Sequence, residues 1–156
     1  MPKLNVVAEP GMHSIVMTRE FNAPRDLVFK AFTDPKLIPQ WWGPSQYSTL
    51  VDKMEVKKGG IWRYVQRGAD GNEYGFNGVY HEITSPERIV FTFEFEGMPG
   101  HVLLETVTFE ERGGKTMMRD LSVFQSIEDR DGMLQSGMEG GASESWDRFD
   151  EVLKAM

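Results

Sequence analysis

Between Tyr47 and Phe124 the chain repeats one pattern: a segment that alternates apolar and polar residues, then a cluster of turn formers. The clusters are Lys57-Lys58-Gly59-Gly60, Gly68-Ala69-Asp70-Gly71, Thr84-Ser85-Pro86-Glu87, Gly97-Met98-Pro99-Gly100 and Arg112-Gly113-Gly114. Their hairpin-like spacing predicts consecutive antiparallel strands near residues 47–56, 60–67, 74–83, 88–96, 101–111 and 115–124. The alternation is plainest where Ile89, Phe91, Phe93 and Phe95 interleave with Thr92, Glu94 and Glu96. Such a sheet has one apolar face and one wet face, and the apolar face needs a cover.

The flanking segments can supply that cover. His13 to Phe21 alternates, with Ile15, Met17 and Arg19 on one side, which predicts a first strand. Asn22 is a candidate cap, and Pro24 a first-turn residue, for a helix carrying Leu27, Val28, Ala31 and Phe32 on one stripe. Asp34-Pro35 stops it and opens a second short helix that ends in Trp41-Trp42-Gly43-Pro44. After the strands, Ser126-Ile127-Glu128-Asp129 resembles a capping box for a short helix to about Ser136, which Gly137 ends. Met138, Ala142, Trp146, Phe149 and Leu153 recur at helical spacing and predict a terminal amphipathic helix of about five turns. Gly140 and Gly141 within it predict a kink, close packing, or space left open beneath the sheet. The expected architecture is α+β: a curved antiparallel seven-stranded sheet wrapped around a long C-terminal helix, with two short helices after the first strand. Residues 1–11 show no period and read as an N-terminal arm, and residues 12–156 as one domain.

Composition excludes several functions. The net charge of −7, with both signs mixed along the chain, repels nucleic acid. The absence of cysteine removes disulfides, thiolate metal sites and a cysteine nucleophile. No basic-plus-apolar leader and no apolar run of bilayer length is visible, so cytoplasmic residence without membrane insertion is expected. His13, His81 and His101 lack metal-ligand spacing and read as surface or structural groups. No GxSxG elbow, P-loop or dinucleotide fingerprint occurs, so no cofactor is expected and a nucleophilic enzyme is disfavoured.

Four stretches together carry a family resemblance: Phe21 to Pro35 (FNAPRDLVFKAFTDP); Trp41-Trp42-Gly43-Pro44; Gly59-Gly60-Ile61-Trp62 through Asp70-Gly71 and Gly78-Val79-Tyr80 to Pro86-Glu87-Arg88-Ile89-Val90-Phe91-Thr92; and Arg130 to Leu134 with Ser136 to Gly140. In this order and spacing the chain resembles the helix-grip fold of the START-like superfamily (polyketide cyclases and lipid carriers). Within it, the chain is similar to the branch related to the C-terminal domain of the activator of Hsp90 ATPase. The resemblance spans roughly residues 14–156. It implies a cavity between sheet and terminal helix that takes a small hydrophobic molecule: a lipid, or an aromatic or polyketide-like compound. It also implies two alternatives, a cyclase or aromatase activity and a chaperone-contacting role. The eukaryotic co-chaperone carries a separate N-terminal domain for which this chain has no room, so the chaperone role is the less expected. Either a monomer or a homodimer is compatible with the sequence.

Ten Met and ten Phe beside four Trp and four Tyr supply a wide apolar surface. The candidate lining of the cavity is Trp62 and Tyr64, Phe76 and Tyr80, Phe91, Phe93 and Phe95 on the central strands, and Val107 and Met118 on the last two. Met133, Met138, Trp146 and Phe149 would close it from the helices, and Trp41 and Trp42 either plug one end of the core or lid the mouth. The same residues would equally fill a solid core. Strand parity turns Glu105 inward with Val107, and Asp120 inward with Met118. A carboxyl unpaired in an apolar cavity is costly and shifts its pKa upward, and such a group orients a polar ligand end or acts as a general acid or base. The competing reading pairs these carboxyls with Arg63, Arg119 or water at the rim.

Overall fold

The computed structural model describes residues 3–156. Among them, strands β1 (Asn5–Val7), β2 (Ser14–Phe21), β3 (Ser48–Met54), β4 (Ile61–Arg67), β5 (Glu73–Thr84), β6 (Arg88–Phe95), β7 (Val102–Arg112) and β8 (Lys115–Val123) form one sheet. Helices α1 (Arg25–Thr33) and α2 (Ile38–Trp41) follow β2, and α3 (Ile127–Gln135) and α4 (Met138–Lys154) follow β8. The strand order is β1-β2-β8-β7-β6-β5-β4-β3, and every pairing is antiparallel. The expected α+β architecture is therefore the observed one, and each expected strand of the 47–124 run is present with its ends within two residues.

The sheet has one strand more than the seven expected. Within the stretch read as an arm, Asn5–Val7 pairs with Val16–Thr18 at the sheet edge. Three residues are too few to show a period, and the strand exists through its neighbour's hydrogen bonds rather than its own pattern. Leu4, Val6 and Ala8 pack on a small apolar cluster of Ile15, Met17, Leu103 and Phe124. Residues 1 and 2 of the arm lie outside the described residues.

Helix α1 corrects one local expectation. Its N-cap is Pro24, which makes no side-chain cap bond, and Asn22 does not cap it. The first-turn amide of Arg25 instead donates to Glu111 Oε1 at 2.8 Å, a partner 86 residues away that no local motif could reveal. Ser126 does cap α3, accepting from the Asp129 amide at 3.1 Å. The reciprocal half of the box is replaced: Asp129 Oδ1 meets His101 Nδ1 at 2.9 Å.

The sheet's apolar face is covered in two places. The C-terminal half of α4 sets Trp146 and Phe149 into an aromatic stack with Phe21, Phe32 and Trp41. Trp146 lies 5.1 Å from Trp41 and 6.2 Å from Phe32, nearly parallel to both, and Phe149 meets Trp41 edge-on at 4.8 Å. Trp41 Nε1 donates to the Ala31 carbonyl at 3.0 Å, which satisfies its polar edge inside the core. Polar clamps fix the helix to α2 and the loop after it: Ser145 Oγ donates to Trp41 O at 2.8 Å, and Arg148 donates to Gly43 O at 2.7 Å. Arg19, inward on β2, is buried beneath α4, where its guanidinium donates to Trp146 O at 2.9 Å, pairs with Asp147 and lies over the Phe21 ring. The second cover is the smaller cluster around Leu103 and Phe124, joined by Met133, Leu134 and Met138 from α3 and the start of α4.

Gly78 leaves space for a close contact between neighbouring strands. A Cβ there would lie 1.8 Å from Thr92 O and 2.5 Å from Trp62 Nε1, the two atoms that form a 3.2 Å hydrogen bond. Only a glycine leaves room for that bond.

Phe149 is fully buried and touches Phe21, Trp41 and Trp146. Phe149→Ala is expected to cost about 3–5 kcal/mol, read as a fall in the urea midpoint at unchanged m-value.

Candidate functional site

Between the two covered regions the sheet and α4 do not meet, and a cavity of about 490 Å³ lies between them. Its cause is the distribution of side-chain size along α4. The C-terminal half carries Trp146, Phe149, Val152 and Leu153, whereas the N-terminal half offers Gly140, Gly141, Ala142 and Ser143. Gly141 faces the cavity, and a Cβ added there would meet nothing within 4 Å. Of the three expectations for this glycine pair, open space is the one observed at Gly141.

The wall is largely aromatic. Strands β4, β5 and β6 contribute Trp62 and Tyr64, Phe76 and Tyr80, and Phe91 and Phe93. Phe32, Ile38, Trp41 and Trp42 close one side, and Met138, Ala142 and Trp146 form the helical side. Trp41 and Trp42 divide the roles left open for them. Trp41 is a buried member of the stack that also borders the cavity. Trp42 is half-buried and sits edge-on against Tyr64 at 5.0 Å and Phe76 at 5.1 Å. Ser136 and Gly137, at the α3–α4 junction, are exposed and line the cavity, so it reaches the surface there.

Five of the residues expected on the wall lie elsewhere. Val107, Met118 and Phe149 face inward but are consumed by the solid core around Phe21 and Phe109. Met133 packs in the smaller cluster on α3's side. Phe95 stacks on Phe76 at 5.1 Å at the end of β6 and turns toward Tyr74, away from the cavity. Parity alone gives a side chain's face, whereas its place along the face depends on where α4 touches down. Several wall residues went unselected, among them Met17, Phe32, Ile38, Gln66 and Ser145. Gln66 shares the parity of Trp62 and Tyr64, and Met17 that of Ile15, so the alternation did carry their signal. Ser145 had none, because its position depends on how α4 docks.

Glu105 and Asp120 both line the cavity, as parity required. Register places Glu105 opposite Phe91 and Ser122, and Asp120 opposite Val107 and Met17. The two carboxyls adjoin one another, and Ser122 Oγ lies 3.4 Å from Glu105 Oε1. The competing arginine pairing does not occur. Arg63 is on the opposite face, bound bidentately to Glu96 at 2.8 Å, and Arg119 is exposed between Thr18 and Thr108. Asp120 is 4% exposed, and its Oδ1 has no hydrogen-bond partner among the described residues. Gln66, 5% exposed, likewise has an unpartnered amide nitrogen.

Burial pushes both carboxyl pKa values up, and the proximity of the two negative charges raises Glu105 further. Asp120 is raised to about 6. The pair therefore titrates as a unit that keeps a proton well above the ordinary carboxylate range. Burial also raises the tyrosines, Tyr80 to about 12, so their hydroxyls stay neutral. Among the described residues no group of three or more potential ligands could hold a metal ion. No helix among them is long and apolar enough to cross a membrane.

A single-faced antiparallel sheet gripping one long helix over a lined cavity defines the helix-grip class of ligand-binding domains. The model of the family described as "Activator of Hsp90 ATPase homolog 1-like protein" matches residues 22–154, and the chain belongs to that family. Comparison with curated protein sequences finds no match. Among solved structures, the chain is similar to a solution structure of a protein from Arthrobacter aurescens, with 28% identity over 97% of this chain and 92% of that one and a TM-score of 0.89. It is also similar to the crystal structure of protein Ms6760 from Mycobacterium smegmatis, with 25% identity over 99% of each chain and a TM-score of 0.88. A Rhodobacter sphaeroides protein shares the fold at 24% identity, covering 99% of each chain with a TM-score of 0.91.

The pH dependence of stability follows from the carboxyl pair. Its folded pKa values lie above the unfolded values near 4, so between them the folded state holds protons that the unfolded state has released. Stability contributed by the pair is present below about pH 4 and is lost as pH rises through about 6, with a slope up to about 1.4 kcal/mol per pH unit per group. Urea titrations from pH 4 to pH 8 should show this loss in the parent protein and little of it in Glu105→Gln/Asp120→Asn, which should be the more stable protein at pH 8.

Proposed function

We propose that the protein binds a small, mainly hydrophobic molecule carrying one polar end, held between the sheet and the N-terminal half of α4. The observation that carries this reading is the cavity of about 490 Å³, within the range of small-molecule sites, with aromatic walls and few polar groups. Protein interiors otherwise pack with few voids larger than a water molecule. A void faced by Gly141, where an alanine or leucine would favour the helix by about 1 kcal/mol, is a feature that works against stability. The aromatic rings supply contact area, and the Glu105–Asp120 pair supplies the polar anchor. Lipid, aromatic and polyketide-like molecules all fit this description in size and polarity.

The same pair supports a second reading, acid–base turnover of the bound molecule. A carboxyl that holds its proton near neutral pH beside one that does not is the arrangement such chemistry needs. The readings separate in Glu105→Gln and Asp120→Asn: a binder keeps its function in reduced form, whereas turnover is abolished while binding persists.

Gly141→Leu tests the cavity directly. It fills space beside α4 and replaces a poor helix former by a good one. The variant should gain up to about 1 kcal/mol in stability and lose at least about tenfold in affinity for ligands that quench the tryptophan fluorescence of the parent protein. Native mass spectrometry should likewise find a co-purified molecule on the parent and not on the variant. Equal retention by both proteins would contradict the proposal.

A further inference from the structure

We infer that the polar end recognised in this cavity is a protonated amine, carried on an apolar, ring-bearing body and seated against Glu105 and Asp120; the inference rests on the binding reading above. The first observation is the juxtaposition itself. Adjacent strands β7 and β8 turn two carboxyls into one apolar cavity, where they adjoin. The second is the absence of a counter-ion. Among the described residues no lysine, arginine or histidine lies within ion-pair distance of either carboxyl. Arg19 shares the inward face, but its guanidinium is turned to Trp146 O and Asp147. Arg130, buried on α3, is spent on Glu9 O and Asp131. Tyr80 and Tyr64 on β5 and β4 stay neutral. Helix α4 faces the cavity with apolar and small residues, and Ser145 there is bonded to Trp41 O. The third observation is independent of the pair: Gln66 lines the same cavity three strands from β7 and keeps an unpartnered, buried amide nitrogen. Asp120 and Gln66, two separate residues that line one cavity, each keep an orphan polar atom.

A buried carboxyl pair that shares a proton still carries a charge, and burying a charge without a partner is expensive. A ligand carbonyl or hydroxyl would use the proton and leave the charge. An ammonium meets both carboxyls with charge-assisted hydrogen bonds, and Phe91, directly across the ladder from Glu105, adds cation–π attraction. An anionic ligand would be repelled. This selects amines and disfavours fatty acids from among the hydrophobic ligands the cavity could hold.

The test uses three probes with one apolar body: 4-phenylbenzylamine, 4-phenylbenzyl alcohol and 4-phenylphenylacetate, titrated calorimetrically into the full chain at pH 7. The amine should bind at least about tenfold more tightly than the alcohol, and the carboxylate most weakly. Amine binding should release protons, because an adjacent cation lowers the pair's affinity for them, so its heat should vary between phosphate and Tris buffers. Its affinity should rise from pH 5 to pH 8 as the pair gives up its proton, while that of the alcohol stays flat. In Glu105→Gln/Asp120→Asn the preference for the amine over the alcohol should fall to about threefold or less. Equal binding of amine and alcohol, or an amine preference that survives in the double variant, overturns this inference and leaves the cavity reading standing. Failure of all three probes overturns both. Should the double variant not fold, the buffer dependence in the parent protein decides alone: no proton release on amine binding overturns the inference.

Discussion

The structure depends on how one helix meets one sheet. A curved antiparallel sheet with a single apolar face must be covered, and α4 covers it unevenly. Its C-terminal half is anchored by Trp146 and Phe149 in the aromatic stack with Phe21, Phe32 and Trp41. Arg19 beneath the helix, with Ser145 and Arg148 at its side, fixes the height and rotation at which that half sits. With the bulky half seated, the half made of glycine and alanine is held above the sheet with nothing to fill the gap. The cavity is thus a consequence of the anchor.

The same geometry explains why two carboxyls tolerate burial. Their backbone positions are set by the β6–β7–β8 ladders, which the core around Val107 and Met118 stabilises from below. The pair is carried inward by strand parity whether or not it finds a partner there. Its cost appears as raised pKa values and an orphan oxygen on Asp120. Features that lower stability and persist are where function is sought. In this protein the two such features, the small residues of α4 and the buried acids, border one space.

The outer face shows the contrast. Arg63, Glu96, Asp52 and Asn77 form a satisfied network in which Glu96 is held down to about 2 by its arginine. These outward charges found partners, while Glu105 and Asp120 found no cation. The difference lies in the ladder: Arg63 on β4 and its cross-strand neighbour Asn77 on β5 both meet Glu96, just after β6, whereas the cross-strand neighbours of Glu105 and Asp120 are apolar or, at Ser122, neutral.

Much of this was legible in the sequence. Period-two alternation and turn chemistry are local, so they located the strands from β3 to β8, the inward faces of Trp62, Phe93, Glu105 and Asp120, and the amphipathic stripe of α4. The four-stretch resemblance pointed to the helix-grip arrangement. Local signals carry no depth along a face. They could not say that Val107, Met118 and Phe149 would be absorbed into solid core while Trp62 and Phe93 bordered a void, nor that Asn5–Val7 would add an edge strand. They also could not show that Glu111 would serve the first turn of α1, or that Arg63 would be out of reach of the carboxyls. Those outcomes depend on where distant elements touch, and only packing sets that distance. The sequence by itself determined which residues face inward; tertiary structure decided which of them meet another side chain and which meet empty space.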